Sequence, residues 1–198
     1  MKEYRVNEIF FSLQGEGVRA GTANFFLRFA GCNQCCTAET HGFNCDTDFE
    51  TGRSMPLPAI VAELRRTHAR CSWVILTGGE PALQVDEELI VGLHEEGYQL
   101  AIETNGTVTL PPGLDWITVS PKTEESEIRQ RVANEVKYVR AVGQPMPQTV
   151  VKADHYLISP AFDGQTLGPE TLRWCIDLVQ AHPPWRLSVQ MHKFLGIK

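Results

Sequence analysis

Apolar residues recur along this chain with two alternating periods. ANFFLRFAG, from Ala23 to Gly31, is a short aromatic and apolar run closed by glycine, and reads as a buried strand. After Pro56 and Pro58, LPAIVAELRRTH sets Ile60, Val61 and Leu64 on one helical face, and SWVILTGGEP follows as a strand rich in β-branched residues ending in a glycine turn. The order then repeats. VDEELIVGLHEEG spaces Leu89, Ile90 and Leu93 as a helix with Gly97 at its C-terminal end, and YQLAIETNG is the strand after it. LDWITVSPK is a third such strand with a polar turn. NEVKYVRAV and HYLISPAFDG come next, then the helix ETLRWCIDLVQAH and a last strand WRLSVQMHKFLGIK. Helices alternating with strands predict an α/β fold with a largely parallel sheet. The length suits an incomplete, TIM-like barrel of about six parallel strands rather than a full eight.

Composition narrows the picture without changing it. The chain has 198 residues, which fits a single domain over 1–198. It carries 18 Lys and Arg against 24 Asp and Glu, a formal charge of −6 with no basic block, so no nucleic-acid partner is expected. No apolar run is long enough to span a bilayer, and MKEYRVNEIF does not have the form of a secretory leader. The expected location is cytoplasmic, with no membrane partner.

Chemistry gathers at the ends of the strands. TGGEP, ETNG, VSPK and ISPAFDG all fall at C-terminal ends, the ligand-facing rim of a parallel α/β architecture. Upstream, GCNQCCTAETHGFNC places four of the chain's six cysteines between Cys32 and Cys45, on a loop that follows the first strand. In a reducing compartment such cysteines bind metal or do redox chemistry more often than they form disulfides. Three thiolates would hold a 4Fe-4S cluster with one iron left open for a substrate or cofactor. Four ligands drawn from Cys32, Cys35, Cys36, Cys45 and His41 would instead close a zinc tetrahedron. Spacing alone leaves both readings standing. Cys35 and Cys36 are adjacent and point apart, so one of them is a spectator.

The cysteine loop beginning GCN, followed by TGGEP, ETNGT and SPK, resembles the radical S-adenosylmethionine enzymes. Within that superfamily, IFFSLQGEGVRAGTANFFLRFAGCN, CDTD, AIETNGT and the terminal VQMHKFLGIK resemble the 7-carboxy-7-deazaguanine synthase family across nearly the whole chain. The family's usual C-x3-C-x2-C is matched here by Cys32 and Cys36, with a C-x8-C second interval ending at Cys45. The resemblance implies a cluster on Cys32, Cys36 and Cys45, with S-adenosylmethionine as a regenerated cofactor and Mg2+ also required. It implies reductive cleavage to a 5′-deoxyadenosyl radical, which removes a hydrogen from the carboxylate-bearing carbon of 6-carboxy-5,6,7,8-tetrahydropterin. The product is 7-carboxy-7-deazaguanine, formed with ring contraction and loss of ammonia in queuosine or 7-deazapurine biosynthesis. A homodimer and a reducing electron-transfer partner such as a flavodoxin follow from the same resemblance.

It also assigns residues. Leu13, Gln14, Gly15, Glu16, Arg28, Thr77 and Lys198 would bind the pterin, with Arg28 suited to its carboxylate and Lys198 contributing a terminal carboxylate. Asn44, Cys45, Asp46, Gly79, Glu80, Glu103, Ser120, Pro121, Lys122, Ser159, Pro160, Ala161 and Phe162 would hold S-adenosylmethionine, and Thr47 would ligate Mg2+. Two other readings compete. A radical enzyme that activates a partner protein would carry a different cysteine ending, and a zinc-stabilised binding module would have no catalysis. Cys71 and Cys175 read as small buried hydrophobes.

Overall fold

The protein is described here by a computed structural model that covers residues 2–45, 48–67 and 70–198. One nine-stranded sheet runs through these residues in the order β3-β1-β2-β4-β5-β6-β7-β8-β9. The strands are β1 (Glu3–Leu13), β2 (Ala23–Phe29), β3 (Arg53–Pro56), β4 (Trp73–Gly78), β5 (Gln99–Thr104), β6 (Trp116–Val119), β7 (Val132–Arg140), β8 (Lys152–Pro160) and β9 (Trp185–Leu187). From β2 through β4 to β9 every neighbouring pair is parallel, which gives seven parallel strands. β1 pairs antiparallel with both β2 and β3 at one edge. The barrel is therefore open, with β3 and β9 as its edges.

Period-2 alternation builds the two faces. Phe25, Leu27, Val74, Leu76, Leu100 and Ile102 point outward, where they pack with Ile60, Val61 and Leu64 of α2 (Leu57–Arg66) and Leu89, Ile90 and Leu93 of α3 (Glu87–Glu95). Val136, Tyr138 and Ile158 form a second outward cluster with Cys175 of α4 (Pro169–Ala181). The alternate residues point inward. Phe26, Ile75, Ala101 and Trp116 stand in register across four strands, and with Phe10 they make an apolar floor. One step toward the C-terminal ends, Arg28 is opposite Thr77 and Glu103 opposite Thr118, which in turn faces Glu135. The barrel interior changes from hydrocarbon to polar within two residues of each strand.

Several elements depart from the expectation, among them the short edge strand β3, which was not foreseen. β1 was not foreseen, because a register shift between Val6 and Glu8 breaks its alternation of apolar and polar residues. The short helix α1 (Ala38–His41) sits in the cysteine loop, with the Thr37 hydroxyl at its N-terminus and Gly42 at φ 80° closing it. WRLSVQMHKFLGIK, expected as a strand throughout, is one only over Trp185–Leu187. The Met191 N–H then bonds to the Gly15 carbonyl at 2.8 Å, and the chain turns into α5 (Met191–Leu195). No described helix is long and apolar enough to cross a membrane.

Candidate active site

The polar part of the interior opens into a cavity of about 640 Å³, lined from the floor residues Phe10 and Phe26 up to the cysteine loop. All seven residues expected to bind the pterin line it: Leu13, Gln14, Gly15, Glu16, Arg28, Thr77 and Lys198. Of the residues expected to hold S-adenosylmethionine, Asn44, Cys45, Gly79, Glu80, Glu103, Ser120, Lys122, Ser159, Pro160 and Phe162 line the same space. Pro121 and Ala161 do not, being buried just beyond the ends of β6 and β8. Asp46 and Thr47 lie outside the described residues.

The cysteine loop is delivered by the end of β2 and pinned at several points. Gly31, at φ 91°, turns the chain; its N–H bonds to the Phe49 carbonyl at 2.6 Å, and its carbonyl accepts from the Glu80 N–H at 2.9 Å. The Asn33 amide donates to the Thr107 hydroxyl at 2.8 Å and accepts from the Asn105 amide at 2.9 Å. The Cys45 N–H reaches the Cys36 carbonyl at 3.2 Å, which folds the inserted segment back on itself. Cys32, Cys36 and Cys45 all line the cavity, whereas Cys35 is exposed and does not. Burial pushes the Cys32 and Cys36 thiols up, and the nearby sulfur of Cys45 raises both further. Thiols become thiolates when they ligate a metal cation.

Among the described residues no three Cys, His, Asp or Glu side chains converge on one point as ligands to a single ion. A multi-iron cluster distributes its thiolates over separate irons, whereas a structural zinc draws four ligands onto one ion. His41 is also engaged, its Nδ1 lying 2.5 Å from the Thr40 hydroxyl.

The TGGEP turn serves the fold as well as the cavity. A Cβ on Gly78 would stand 2.2 Å from the Phe29 carbonyl oxygen, and one on Gly79 would stand 2.1 Å from that of Gly31. The backbone that needs the room is thus the chain's own, at the point where β2 hands over to the cysteine loop. Glu80 is 1% exposed; its carboxylate accepts from the Thr104 hydroxyl at 2.6 Å, the Asn105 N–H at 2.7 Å and the Ala82 N–H at 3.0 Å. Burial pushes its pKa up against those three bonds.

The loop between β1 and β2 folds inward to form the inner wall. Gln14 donates to one oxygen of Glu103 at 2.8 Å and the Thr77 hydroxyl to the other at 3.1 Å. Glu16 forms an ion pair with Lys137 and accepts from the Gln190 amide at 2.9 Å. Burial would raise the Glu16 pKa, but the charge and hydrogen bond of Lys137, with Gln190 and His192 adding to them, hold it at about 2. The Val18 N–H and the Thr118 hydroxyl satisfy Glu135 at 2.8 and 2.9 Å. Nearer the mouth, Glu8 accepts from Arg28 Nε at 3.0 Å and pairs with the ammonium of Lys198, whose main-chain oxygen accepts from the Ser12 hydroxyl at 2.7 Å. Lys122 donates to the Ser120 hydroxyl at 2.8 Å, and burial together with the charge of Lys137 brings its pKa down to about 8. Asp48 lines the cavity too, but its carboxylate accepts from the N–H groups of Glu50 and Thr51 at 3.0 and 3.2 Å.

Sequence reasoning missed Lys137, Gln190 and His192, all of which line the cavity, as well as Glu135 beside it. Glu135 and Lys137 carried a signal, being two charges spaced by two in a strand expected between neighbours on both sides. Gln190 and His192 fall in VQMHKFLGIK, which carries the family resemblance, but that segment reads as a strand and neither residue is given a role there.

An open parallel barrel with three thiols grouped at its C-terminal rim defines a radical S-adenosylmethionine domain, and the Radical SAM superfamily matches residues 29–142. The similarity to individual proteins is wider and more specific. The 7-carboxy-7-deazaguanine synthase of Bradyrhizobium diazoefficiens is 43% identical, covering 98% of this chain and 99% of that protein. That of Bacteroides thetaiotaomicron is 41% identical, covering 98% of each. QueE from Escherichia coli superposes with a TM-score of 0.72 at 26% identity, over 96% of this chain and 95% of that one. The chain belongs to the 7-carboxy-7-deazaguanine synthase family.

Proposed function

We propose that this chain converts 6-carboxy-5,6,7,8-tetrahydropterin to 7-carboxy-7-deazaguanine, contracting the ring and releasing ammonia. The supporting observation is that one cavity has three thiols at its rim and Gln14, Glu16, Arg28 and Thr77 on its inner wall. Substrate equals product plus ammonia, so the rearrangement is redox-neutral and suits a cofactor that is returned to its starting state. The iron–sulfur cluster and S-adenosylmethionine supply one-electron chemistry and a hydrogen-atom acceptor.

The chain itself binds, orients and excludes water. Cys32, Cys36 and Cys45 would hold the cluster, while the backbone at Gly79 and the side chains of Ser120, Lys122 and Ser159 would face S-adenosylmethionine. Gln14, Glu16 and Thr77 would meet the amino and ring N–H edge of the pterin. Arg28 is fixed through its Nε to Glu8, which leaves the rest of the guanidinium fork to take the substrate carboxylate. The apolar floor of Phe10 and Phe26 keeps water from the reacting carbon. Mg2+ would bind Thr47 together with substrate oxygens, since a threonine hydroxyl alone anchors it poorly. A homodimer, which would cover the exposed Phe194 and Leu195 of α5, a cytoplasmic location and a flavodoxin-like electron donor complete the reading.

The test is anaerobic reconstitution with iron and sulfide, then reduction and addition of S-adenosylmethionine, Mg2+ and the carboxytetrahydropterin, with products read by mass spectrometry. 7-Carboxy-7-deazaguanine is the expected product. 5′-Deoxyadenosine without it would refute the substrate and leave the class standing. A colourless protein holding stoichiometric zinc would refute both.

A further inference from the structure

Lys137 is buried in the cavity wall with its side chain 9% exposed, and neither the cluster, the cofactor nor the pterin reading assigns it a role. It projects from β7, an interior strand two places from the β9 edge, and its ammonium meets the Glu16 carboxylate carried by the β1–β2 loop. The other Glu16 oxygen accepts from Gln190, just before α5. One carboxylate thus ties β7, the inner loop and the C-terminal segment together. Each carboxylate oxygen has two acceptor sites, and these bonds use one on each. That leaves one acceptor site on each oxygen, on a residue that lines the cavity.

We propose that Lys137 is a positioning residue which, with Gln190, holds Glu16 ionised and aimed into the cavity, and so sets the affinity for the donor edge of the pterin ring. The proposal rests on the substrate reading above. It follows from chemical complementarity: an amino group beside a ring N–H presents two parallel donors, and an ionised carboxylate accepts both while a protonated one does not. The charged groups around the pair support the assignment. Glu16 is also faced by His192 of α5, while Lys137 is faced by Glu103 of β5, Glu135 of β7 and the Lys122 ammonium after β6. The acidic neighbours stabilise the Lys137 ammonium, and without that ammonium burial would push the Glu16 pKa up, opposed only by Gln190 and His192.

The experiment compares wild type with Lys137→Met and Lys137→Arg, each as reconstituted holoenzyme. Dissociation constants for the carboxytetrahydropterin are measured by calorimetry from pH 6 to 8.5, and KM and kcat alongside. Wild-type and Lys137→Arg affinities should keep a common pH dependence, set by the substrate's own ionisation. Lys137→Met should bind at least about tenfold more weakly at neutral pH, and its deficit should grow as pH falls and Glu16 takes up a proton. The loss should fall mainly on KM. A Lys137→Met variant with wild-type affinity, or with a deficit that is the same at every pH, would overturn the proposal.

Lys137→Met leaves a buried unpaired carboxylate and can fail to fold. The double variant Glu16→Gln with Lys137→Met removes both charges. It should fold and bind weakly with no pH-dependent deficit relative to wild type, and a deficit that still grew toward low pH would count against Glu16 as the titrating group. Wild-type turnover is the separate control. If wild type makes no 7-carboxy-7-deazaguanine the substrate reading falls and takes this proposal with it, whereas product from wild type and an unchanged Lys137→Met defeat this proposal alone.

Discussion

Glu80 and Gly79 stand next to each other but are held by different neighbours. The Glu80 carboxylate accepts three hydrogen bonds from Ala82, Thr104 and Asn105, and Gly79 lies where its backbone must pass that of Gly31. Glu80→Ala leaves three buried donors without an acceptor and should cost about 3 kcal/mol, read as a lower urea midpoint of the cluster-free protein. A loss under about 1 kcal/mol would mean that water replaces the carboxylate. Gly79→Ala has no room to relax, because its contact is backbone. It should lower iron and sulfide content after reconstitution by shifting the cysteine loop, and full cluster loading would contradict this.

At Glu16 the sign of the pH effect follows from the direction of the shift. The folded pKa of about 2 lies below the ordinary 4.5, so the pair's stabilisation is fully present above pH 4.5 and is lost as pH falls toward 2. The amount is about 3 kcal/mol. Glu16→Gln should therefore be less stable at neutral pH yet flatter in stability below pH 4.5, as urea midpoints taken across the range would record. These pairings were not legible beforehand. The sequence marked Gly78, Gly79 and Glu80 as a turn at a rim and Glu16 as a polar residue near a ligand, but what each one touches is set by segments far along the chain.

At the scale of the element, the cysteine loop is the most informative. The insertion between Cys36 and Cys45 is a capped turn of helix, and Gln144 beyond β7 donates to its last carbonyl, that of His41, at 3.2 Å. Its closure places Cys36 inward and Cys35 outward, which spacing alone left open. Cys36→Ala should abolish the visible thiolate-to-iron absorption of the reconstituted protein, and Cys35→Ala should retain it. The opposite pattern would exchange the two assignments. The parallel strands and their helices were legible because each is buried on both faces or presents one apolar stripe. β1 was hidden by its bulge and α5 by a run of apolar residues too short to show a period. β7 was visible as an element, yet the function of its inward charges depends on a loop more than a hundred residues upstream.

For the whole molecule, the open barrel leaves one continuous cavity that runs from the apolar floor to the cysteine loop. Seven parallel strands leave a gap, and the β1–β2 loop folds into it, with the Gly17 N–H bonded to the Ser188 hydroxyl at 2.9 Å next to the β9 edge. The loop supplies the wall that a closed barrel would take from a further strand, and it brings Gln14 and Glu16 beneath the cysteine rim. Apolar residues line the floor and polar ones stand above them, which on the proposed reading shelters the reacting carbon from water.

The most direct measurement of this arrangement uses carboxytetrahydropterin carrying deuterium on the carbon that bears the carboxylate, turned over anaerobically by the reconstituted wild-type protein. Product and recovered S-adenosylmethionine are then analysed by mass spectrometry. If cofactor and substrate meet in the one cavity and the cofactor is regenerated, deuterium should appear in the recovered S-adenosylmethionine while many products form per cofactor. Product made with no label in the cofactor, or one cofactor consumed for each product, would contradict it.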